Sequence, residues 1–411
     1  MSPEILITGL GTVGAYGSGG DSLRRALSAG SPPDFMISEV DRSAGFHRES
    51  SARCAFLARG VSLSEWLAPG EARRMSPPSK LAVAAARMAL ACAGMAELRC
   101  DREETSVTVA TAFGPSSYSE ALLRQILFEG PESTSPFLFT ESVANAPAAQ
   151  IAILCRARGP SVTVCQREAG SLIAVAQGAA DLLHGRAPCA LAGAVEEMTP
   201  LLHALLDRFG ALARSTRPGE PEVARPFDRR RNGFLAAEGA TVLFLETTAS
   251  AQERGARVLA RLIAWGSAFD PTASQTGWGT GYAVLGRSLR RFLERAGLGP
   301  GRIDRIVSGA SGSRGGDLLE ARMLREAWGD HPLPPVLAPK GVVGEYGGGF
   351  LGAAVLAAAG SRLGATAGFA EPDSEVGLLP CDGSCLPAPT TVLVTSLAAG
   401  GAASWLVLGA P

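Results

Sequence analysis

The sequence lacks the features that would place it on a nucleic acid or in a membrane. Its 38 Lys and Arg residues are balanced by 39 Asp and Glu residues, for a net charge of -1, so no overall basic field attracts nucleic acid or anionic lipid. Apolar runs such as residues 351–359 are far shorter than the roughly 20 residues that cross a bilayer. The first residues have neither the basic nor the apolar region of a signal peptide. We therefore expect a cytoplasmic protein with no nucleic-acid partner and no membrane span.

Potential metal ligands are also few. The chain has only 4 histidines and 8 cysteines in 411 residues, and without an export signal the cysteines are expected to be reduced thiols. Cys381 and Cys385 form the only close pair, and no further Cys or His follows nearby to complete a zinc site. We therefore expect no metal and no other cofactor.

The chain does contain the composition of an ordinary globular protein, with 46% hydrophobic and 19% charged residues. Its length suits two domains or one large duplicated domain. Short apolar strand-like segments are followed by alanine-rich helical segments, and the 50 glycines allow such elements to pack closely. This alternation predicts the α/β fold class.

The alternation of strands and helices occurs twice along the chain. In the first series we predict strands at 5–8, 106–112, 161–165, 189–192 and 240–246, and helices at 21–28, 80–93, 118–128, 145–156 and 170–183. The second series consists of the segments 259–265, 282–296, 303–308, 318–328, 348–359 and 391–395. A turn is predicted at Gly9-Leu-Gly11. The two series predict similar halves at 1–250 and 251–411, with a surface excursion near 216–231 and a loop-rich insertion at 361–390.

Three ordered motifs carry a resemblance to a known family. Residues 7–13 read Ile-Thr-Gly-Leu-Gly-Thr-Val, and residues 159–164 read Gly-Pro-Ser-Val-Thr-Val. Residues 224–240 read Ala-Arg-Pro-Phe-Asp-Arg-Arg-Arg-Asn-Gly-Phe-Leu-Ala-Ala-Glu-Gly-Ala. Together they resemble the β-ketoacyl synthases of the thiolase-like superfamily along nearly the whole chain. The resemblance implies a thiolase-like fold, in which two similar α/β halves form a five-layered αβαβα core.

The chemistry of that family requires a cysteine at the start of a buried helix. There the helix dipole and backbone N–H groups favour the thiolate and hold the thioester oxyanion. Aligned on the motif that ends at Val164, the cysteine position reads Glu168. Cys165 lies three residues too early, outside the helix N-terminus, and its simplest interpretation is a small buried residue. The resemblance therefore implies that the nucleophile is lost.

The other catalytic positions of the family are lost as well. Two histidines that hold the malonyl carbonyl and stabilise the enolate correspond to Gly309 and Glu345, and the gating phenylalanine corresponds to Ala399. Lys340 matches a lysine that the family retains. None of the four histidines of the chain, at 47, 184, 203 and 331, lies in a motif that could replace them. We therefore expect no catalytic residue.

Within the family, the subunit that lacks the cysteine is the chain length factor of type II polyketide synthases. The resemblance implies a heterodimer with an active ketosynthase, contact with an acyl carrier protein, and a role in closing the partner's polyketide tunnel. The family builds the tunnel floor from the segments that correspond to 118–128 and 136–140. The candidate tunnel residues are Tyr118, Leu122, Phe137 and Phe139; ordinary core or dimer packing is the alternative for each.

Other functions remain open at this point. Glu168 and Lys340 could act as an enzyme that decarboxylates malonyl carrier protein, or the chain could be a homodimeric binding protein without a ketosynthase. Because Glu168 and Glu345 would share one pocket, we expect at least one raised pKa. An ion-pair cluster with Lys340 and either Arg167 or Arg314 is the expected resolution. The product class, aromatic polyketide or reduced polyene, stays open.

Overall fold

The computed structural model describes residues 4–46, 52–95, 104–217, 219–384 and 386–411. His47, Cys100 and Cys385 lie outside these ranges. Within them the strands are β1 Ile5–Gly14, β2 Gly17–Ser18, β3 Ile37–Glu39, β4 Cys54–Phe56, β5 Ser106–Ala110, β6 Ser161–Val164, β7 Cys189–Glu196, β8 Ala236–Ala237, β9 Gly239–Thr247, β10 Ala260–Phe269, β11 Arg305–Ser308, β12 Val336–Leu337, β13 Thr391–Leu397 and β14 Ala402–Gly409.

The helices of the described ranges are connected to these strands in the predicted alternation. They are α1 Gly20–Ala29, α2 Pro69–Ala72, α3 Pro77–Cys92, α4 Ser116–Glu129, α5 Pro136–Ser142, α6 Ala146–Leu154, α7 Gly170–Leu183, α8 Pro200–Arg208, α9 Thr248–Glu253, α10 Tyr282–Arg295, α11 Arg314–Trp328, α12 Lys340–Val343 and α13 Leu351–Ala358. Every predicted strand or helix overlaps an observed element.

The large sheet contains the same five-strand pattern twice. One half has the spatial order β6-β5-β7-β9-β1, and the other has β12-β11-β13-β14-β10. When the five strands of each half are numbered along the chain, both spatial orders read third, second, fourth, fifth, first. In both halves the first three strands of the spatial order are parallel to one another, and the last three form antiparallel pairs. A short antiparallel pairing of β1 with β10 joins the halves. The predicted fold class of two similar α/β halves is confirmed, whereas the boundary at 250 stays a prediction.

Helices cover the sheet in layers. α3 and α6 pack on the first half, and α10 and α11 pack together on the outer side of the second. α7 contacts β5, β7 and β9 of the first half as well as β10 and β14 of the second, and α13 also contacts strands of both halves. These two apolar helices therefore form the central layer, whose side chains belong to one buried cluster with Leu243 and Leu406.

The predicted turn at Gly9-Leu-Gly11 is wrong, because β1 continues through these residues to Gly14. A Cβ at Gly9 would lie 2.2 Å from the carbonyl oxygen of Ala89, and a Cβ at Gly11 would lie 1.8 Å from that of Ala85. Both glycines are therefore needed for the close approach of α3 to the strand, and neither makes a turn.

The predicted surface excursion at 216–231 is exposed in its first part and again at Arg229 and Arg230. Phe227, Asp228 and Arg231 are buried, and the backbone N–H of Phe227 donates to the carboxylate of Asp317 (2.8 Å). The predicted loop-rich insertion at 361–390 contains no helix or strand in its described residues. The sequence predictions did not include β14 and α8.

Two further properties concern the described ranges as a whole. No single helix there is long and apolar enough to cross a membrane; only α5 and α6 taken together, bent by 98°, reach the required length and composition. No group of three or more His, Cys, Asp or Glu side chains in those ranges is arranged to hold a metal ion.

Candidate functional site

Glu168, at the position of the family nucleophile, lies in the short connection between strand β6 and helix α7. Between β6 and α7, residues 167–169 form a 3₁₀ turn in which Arg167 adopts a positive φ of 45°. The hydroxyl of Ser396, at the end of β13, donates to the carbonyl oxygen of Glu168 (2.7 Å). The second half of the molecule therefore fixes the turn that belongs to the first half.

The Glu168 side chain is the most unusual feature of this turn. Its Oε2 atom is buried and has no hydrogen-bond partner among the described residues, although the side chain as a whole is only half-buried. Burial, followed by the charge of Glu345, raises the pKa of this carboxyl to about 7. The predicted rise of a pKa in this pocket is confirmed, and at neutral pH Glu168 exists in part as the neutral acid.

Glu345 is held differently. Its Oε2 pairs with the buried Nζ of Lys340, and its Oε1 accepts from the backbone N–H of Gly348 (3.2 Å). The Lys340 ammonium also lies 4.9 Å from the ring centroid of Phe350, where the ring face attracts a cation. The predicted ion pair with Lys340 is confirmed.

The two arginines predicted to complete an ion-pair cluster bind backbone carbonyls. Arg167 Nη1 donates to the carbonyl oxygen of Ala399 (3.2 Å), and Arg314 Nε donates to that of Arg231 (3.2 Å). The predicted cluster is therefore wrong beyond the Lys340–Glu345 pair. Arg167 ties the turn of Glu168 to the loop that corresponds to the family's gate.

The position of the first family histidine is filled by neighbours. Gly309 follows β11, and its N–H donates to the carbonyl oxygen of Thr395 (2.8 Å). A Cβ at Gly309 would lie 2.9 Å from this oxygen and 2.9 Å from the hydroxyl of Ser396. No side chain fits there unless β13 moves, so the loss of the imidazole is built into the packing.

Two acidic residues of α11 stabilise the backbone around this position. Asp317 accepts from the N–H groups of Phe227 and Gly312, and burial raises its pKa to about 6. Glu320 accepts from the hydroxyls of Ser308 (2.8 Å) and Thr395 (2.5 Å), and burial raises its pKa to about 7. Both carboxyls are satisfied by hydrogen bonds, which gives them a structural role.

A cavity of about 230 Å³ opens beside these groups. Glu168, Glu345 and Ala399 all line it, so the fold brings together three of the positions identified in the sequence. The remaining wall is mainly apolar. It is formed by Ala112, Phe113, Arg167, Glu196, Met198, Leu202, Leu205, Leu206, Phe209, Ala211, Phe234, Thr276, Tyr346 and Gly347.

Glu196 and helix α8 are parts of this site that the sequence predictions missed. Glu196 ends β7 and accepts from the hydroxyl of Thr111 (2.9 Å) and the N–H of Ala112 (2.6 Å). Burial raises its pKa to about 8. The tandem acids Glu196 and Glu197 at the end of an apolar strand were a usable signal for a buried polar site.

The candidate tunnel residues do not line this cavity. They lie on α4 and α5, where the rings of Tyr118 and Phe137 meet edge to face with centroids 5.9 Å apart. Leu122 is half-buried and Phe139 is exposed. Whether they reach a partner's tunnel therefore depends on what covers this face.

Cys165 is exposed, so its interpretation as a small buried residue is wrong. It lies just beyond β6, and burial of its sulfur followed by the charge of Glu196 raises the pKa of the thiol, which opposes thiolate formation. Of the described histidines, His203 is buried against Arg42 and the carbonyl oxygen of Cys54, and burial lowers its pKa to about 4. No described histidine lines the cavity.

Comparison with known proteins explains this geometry. The sequence model described as "Beta-ketoacyl synthase, N-terminal domain" matches residues 2–251, more than half of the chain. The chain belongs to the β-ketoacyl synthase family.

Relatives within this family cover the whole chain. The oxytetracycline polyketide β-ketoacyl synthase 1 of Streptomyces rimosus is 30% identical over 99% of this chain and 97% of that protein. The granaticin polyketide β-ketoacyl synthase 1 of Streptomyces violaceoruber is 30% identical over 100% of this chain and 99% of that protein. The motif-based resemblance to β-ketoacyl synthases of type II polyketide synthases is confirmed.

Solved structures give the same result. The ishigamide ketosynthase/chain length factor superposes with a TM-score of 0.86 and 28% identity, covering 100% of both chains. A type II polyketide acyl-carrier protein in complex with its ketosynthase gives a TM-score of 0.87 at 21% identity, also covering 100% of both chains, and so supports the fold alone. The thiolase-like fold predicted from the motifs is confirmed.

Proposed function

We propose that this chain is the noncatalytic subunit of a type II ketosynthase pair, a chain length factor that binds an active ketosynthase and closes its polyketide tunnel. The proposal rests mainly on one observation: Glu168 occupies the position of the family nucleophile, in the turn of residues 167–169. Among the described residues that line the cavity, none has a thiol to accept an acyl group or an imidazole to stabilise an enolate. Gly309 has no space for a side chain, so the condensing site has lost a histidine position as well as its cysteine position.

An open, apolar face supports the binding of a partner. Within the described ranges β6 is the last strand of its sheet and pairs with β5 alone, so one edge of it is open to pairing with another chain. α6 packs on β6 and contacts α5, which in turn contacts α4, and α4 and α5 expose Leu127 (74%), Phe128 (77%) and Phe139 (61%). Exposed aromatic side chains in one region mark protein interfaces. We assign this face to the active ketosynthase, because the ishigamide relative is described as a ketosynthase/chain length factor.

The candidate tunnel residues belong to this face. Tyr118 and Leu122 project from α4, and Phe137 and Phe139 from α5. With the partner bound, their volumes would set the distance at which a growing chain meets the tunnel end. The acyl carrier protein would deliver its chain to the partner's cysteine and contact this subunit only at the edge of the complex.

Co-expression with the ketosynthase encoded beside this chain tests the pairing. We expect a stable one-to-one complex in size-exclusion chromatography, and a homodimer that ignores the ketosynthase would contradict the proposal. Tyr118, Leu122 and Phe137 are then changed singly to Ala and to Trp within the complex. Ala variants should lengthen the products and Trp variants shorten them, while the control Val284→Ala on α10 should not. Unchanged product lengths in all six variants would remove the tunnel assignment.

The second candidate function is decarboxylation of malonyl carrier protein by this subunit. It is favoured by one observation, a buried carboxyl with a pKa of about 7 and a free Oε2 in the same cavity as Glu345, which pairs with Lys340. Purified chain mixed with malonyl carrier protein decides between the two. Release of carbon dioxide that Glu168→Gln abolishes would favour this candidate, and the absence of release would favour the noncatalytic subunit.

A further inference from the structure

A second groove lies far from the Glu168 cavity, on the outer side of the second half. It exists because β1 pairs with β10 only at residues 260–262 and then continues beside β9. From Ile263 onward β10 has a described partner strand only on its β14 side, and α10 packs over the strand. The groove encloses about 550 Å³, a volume within the range of small-molecule sites.

Aromatic side chains form much of its wall. Trp265 and Phe292 are half-buried, and Trp405 is buried beneath Phe292 with ring centroids 5.9 Å apart. Phe292 lies directly against Gly266, where a Cβ would come within 2.8 Å of the ring. Such a wall suits the flat or extended apolar part of a ligand.

The charged side chains that line the groove are two arginines, and Ser267 and Ser288 add hydroxyl groups. Arg291 and Arg295 lie one turn apart on α10 and are exposed, and neither forms an ion pair with any described residue. The indole Nε1 of Trp405 is buried and has no hydrogen-bond acceptor among the described residues. No Asp or Glu is among the described residues that line the groove.

We propose that this groove binds a small amphipathic anion. Its carboxylate, sulfonate or phosphate group would accept from the guanidinium groups of Arg291 and Arg295, since charge-assisted hydrogen bonds to such groups are strong. Its ring or alkyl part would lie against Phe292, with Trp265 at the far edge of the groove, because Trp265 packs with the central cluster on the other face of β10.

The test uses the indole N–H signals of the five tryptophans in the full chain, labelled with ¹⁵N. Naphthalene-2-sulfonate is the probe, and neutral 2-naphthol is its matched control. We expect the sulfonate to shift the signals of Trp405 and Trp265 saturably and to leave that of Trp66, in the first half, unchanged. Trp405→Phe assigns its signal. The neutral probe should bind about tenfold more weakly or worse.

The double variant Arg291→Gln/Arg295→Gln removes both guanidinium groups from the surface and leaves the core intact. It should weaken binding of the sulfonate by about tenfold or more, whereas Arg287→Gln, on the same helix but outside the groove, should leave the affinity unchanged. Signals of Trp405 and Trp265 that do not move at millimolar probe would overturn the proposal. Equal affinity of the double variant and the parent chain would overturn it as well.

Discussion

Each half of the molecule has an equivalent connection between a strand and a central helix, and each connection contains a buried carboxyl. The two carboxyls differ in whether a cation pairs with them. In the first half, β6 leads through Glu168 into α7; in the second, β12 leads through Glu345 into α13. The Glu345 side chain pairs with a neighbouring cation, the ammonium of Lys340. Glu168 has a free Oε2 and a raised pKa. A buried carboxyl is thus kept either by pairing with a charge or by holding a proton.

The lengths of the two connections explain the difference. The connection from Val164 to Gly170 is a single tight turn, and its one cation, Arg167, donates to the carbonyl oxygen of Ala399. The connection from Leu337 to Leu351 is long enough to include α12, whose first residue is Lys340. The same topology therefore gives two electrostatic environments.

The largest effect is expected from removing the cation of the second connection. Lys340→Met leaves Glu345 buried without its partner and should lower the free energy of unfolding by about 3–5 kcal/mol. Urea denaturation at pH 7 measures this loss. The double variant Lys340→Met/Glu345→Leu should recover much of the stability, because no unpaired charge then remains.

An exposed ion pair provides the control for that prediction. Arg322 and Glu375 lie 3.1 Å apart with both side chains well exposed, and Arg322→Gln should cost no more than about 1 kcal/mol. If the effects of Lys340→Met and Arg322→Gln were similar, the buried pair would not differ from a surface pair, and the comparison of the two connections would fail.

The next effect is a pH dependence specific to Glu168. Its pKa of about 7 in the folded state exceeds the ordinary value of 4.5, so between these pH values the folded chain holds a proton that the unfolded chain has lost. The carboxyl therefore costs little stability below pH 4.5 and progressively more up to about pH 7. Relative to the parent, Glu168→Gln should gain up to about 3 kcal/mol between pH 4.5 and pH 8.

Chemical denaturation at several pH values measures this difference. The contributions of Glu196 and Glu320 to the pH dependence cancel, because the parent and the variant both contain these residues. Glu65→Gln, at an exposed position, is the control and should show a difference that does not depend on pH. A stability difference for Glu168→Gln that stayed constant from pH 4.5 to pH 8 would contradict the raised pKa of Glu168.

The smallest effect concerns the packing beside the two connections. Gly309→Ala would push its Cβ against the Thr395 carbonyl and the Ser396 hydroxyl that holds Glu168, and should cost about 1–3 kcal/mol. Gly301→Ala, where a Cβ meets nothing within 4 Å, is the matched control and should change stability little. A neutral Gly309→Ala, judged by thermal unfolding, would show that the histidine position is still open.

Much of this comparison could be anticipated from the sequence, but not its geometry. The motif ending at Val164 located Glu168, and the spacing to Asp317 located Gly309. The free Oε2 of Glu168 and the carbonyl bonds of Arg167 and Arg314 could not be predicted, because they depend on where β13, the 398–401 loop and Arg231 lie. Gly9 and Gly11 were misjudged for the same reason: a glycine that permits close packing and a glycine that makes a turn look alike in a sequence.

The sequence by itself determined the fold class and the identity of the residues at the former catalytic positions, since strand and helix periodicity and motif spacing are local properties of the chain. Only the tertiary structure decided which carboxyl is paired, which holds a proton, and which surfaces stay open. Those outcomes depend on burial and on distances between residues far apart in the chain, such as Glu168 with Ser396 and Phe292 with Trp405. Such distances are fixed only when the two halves pack together.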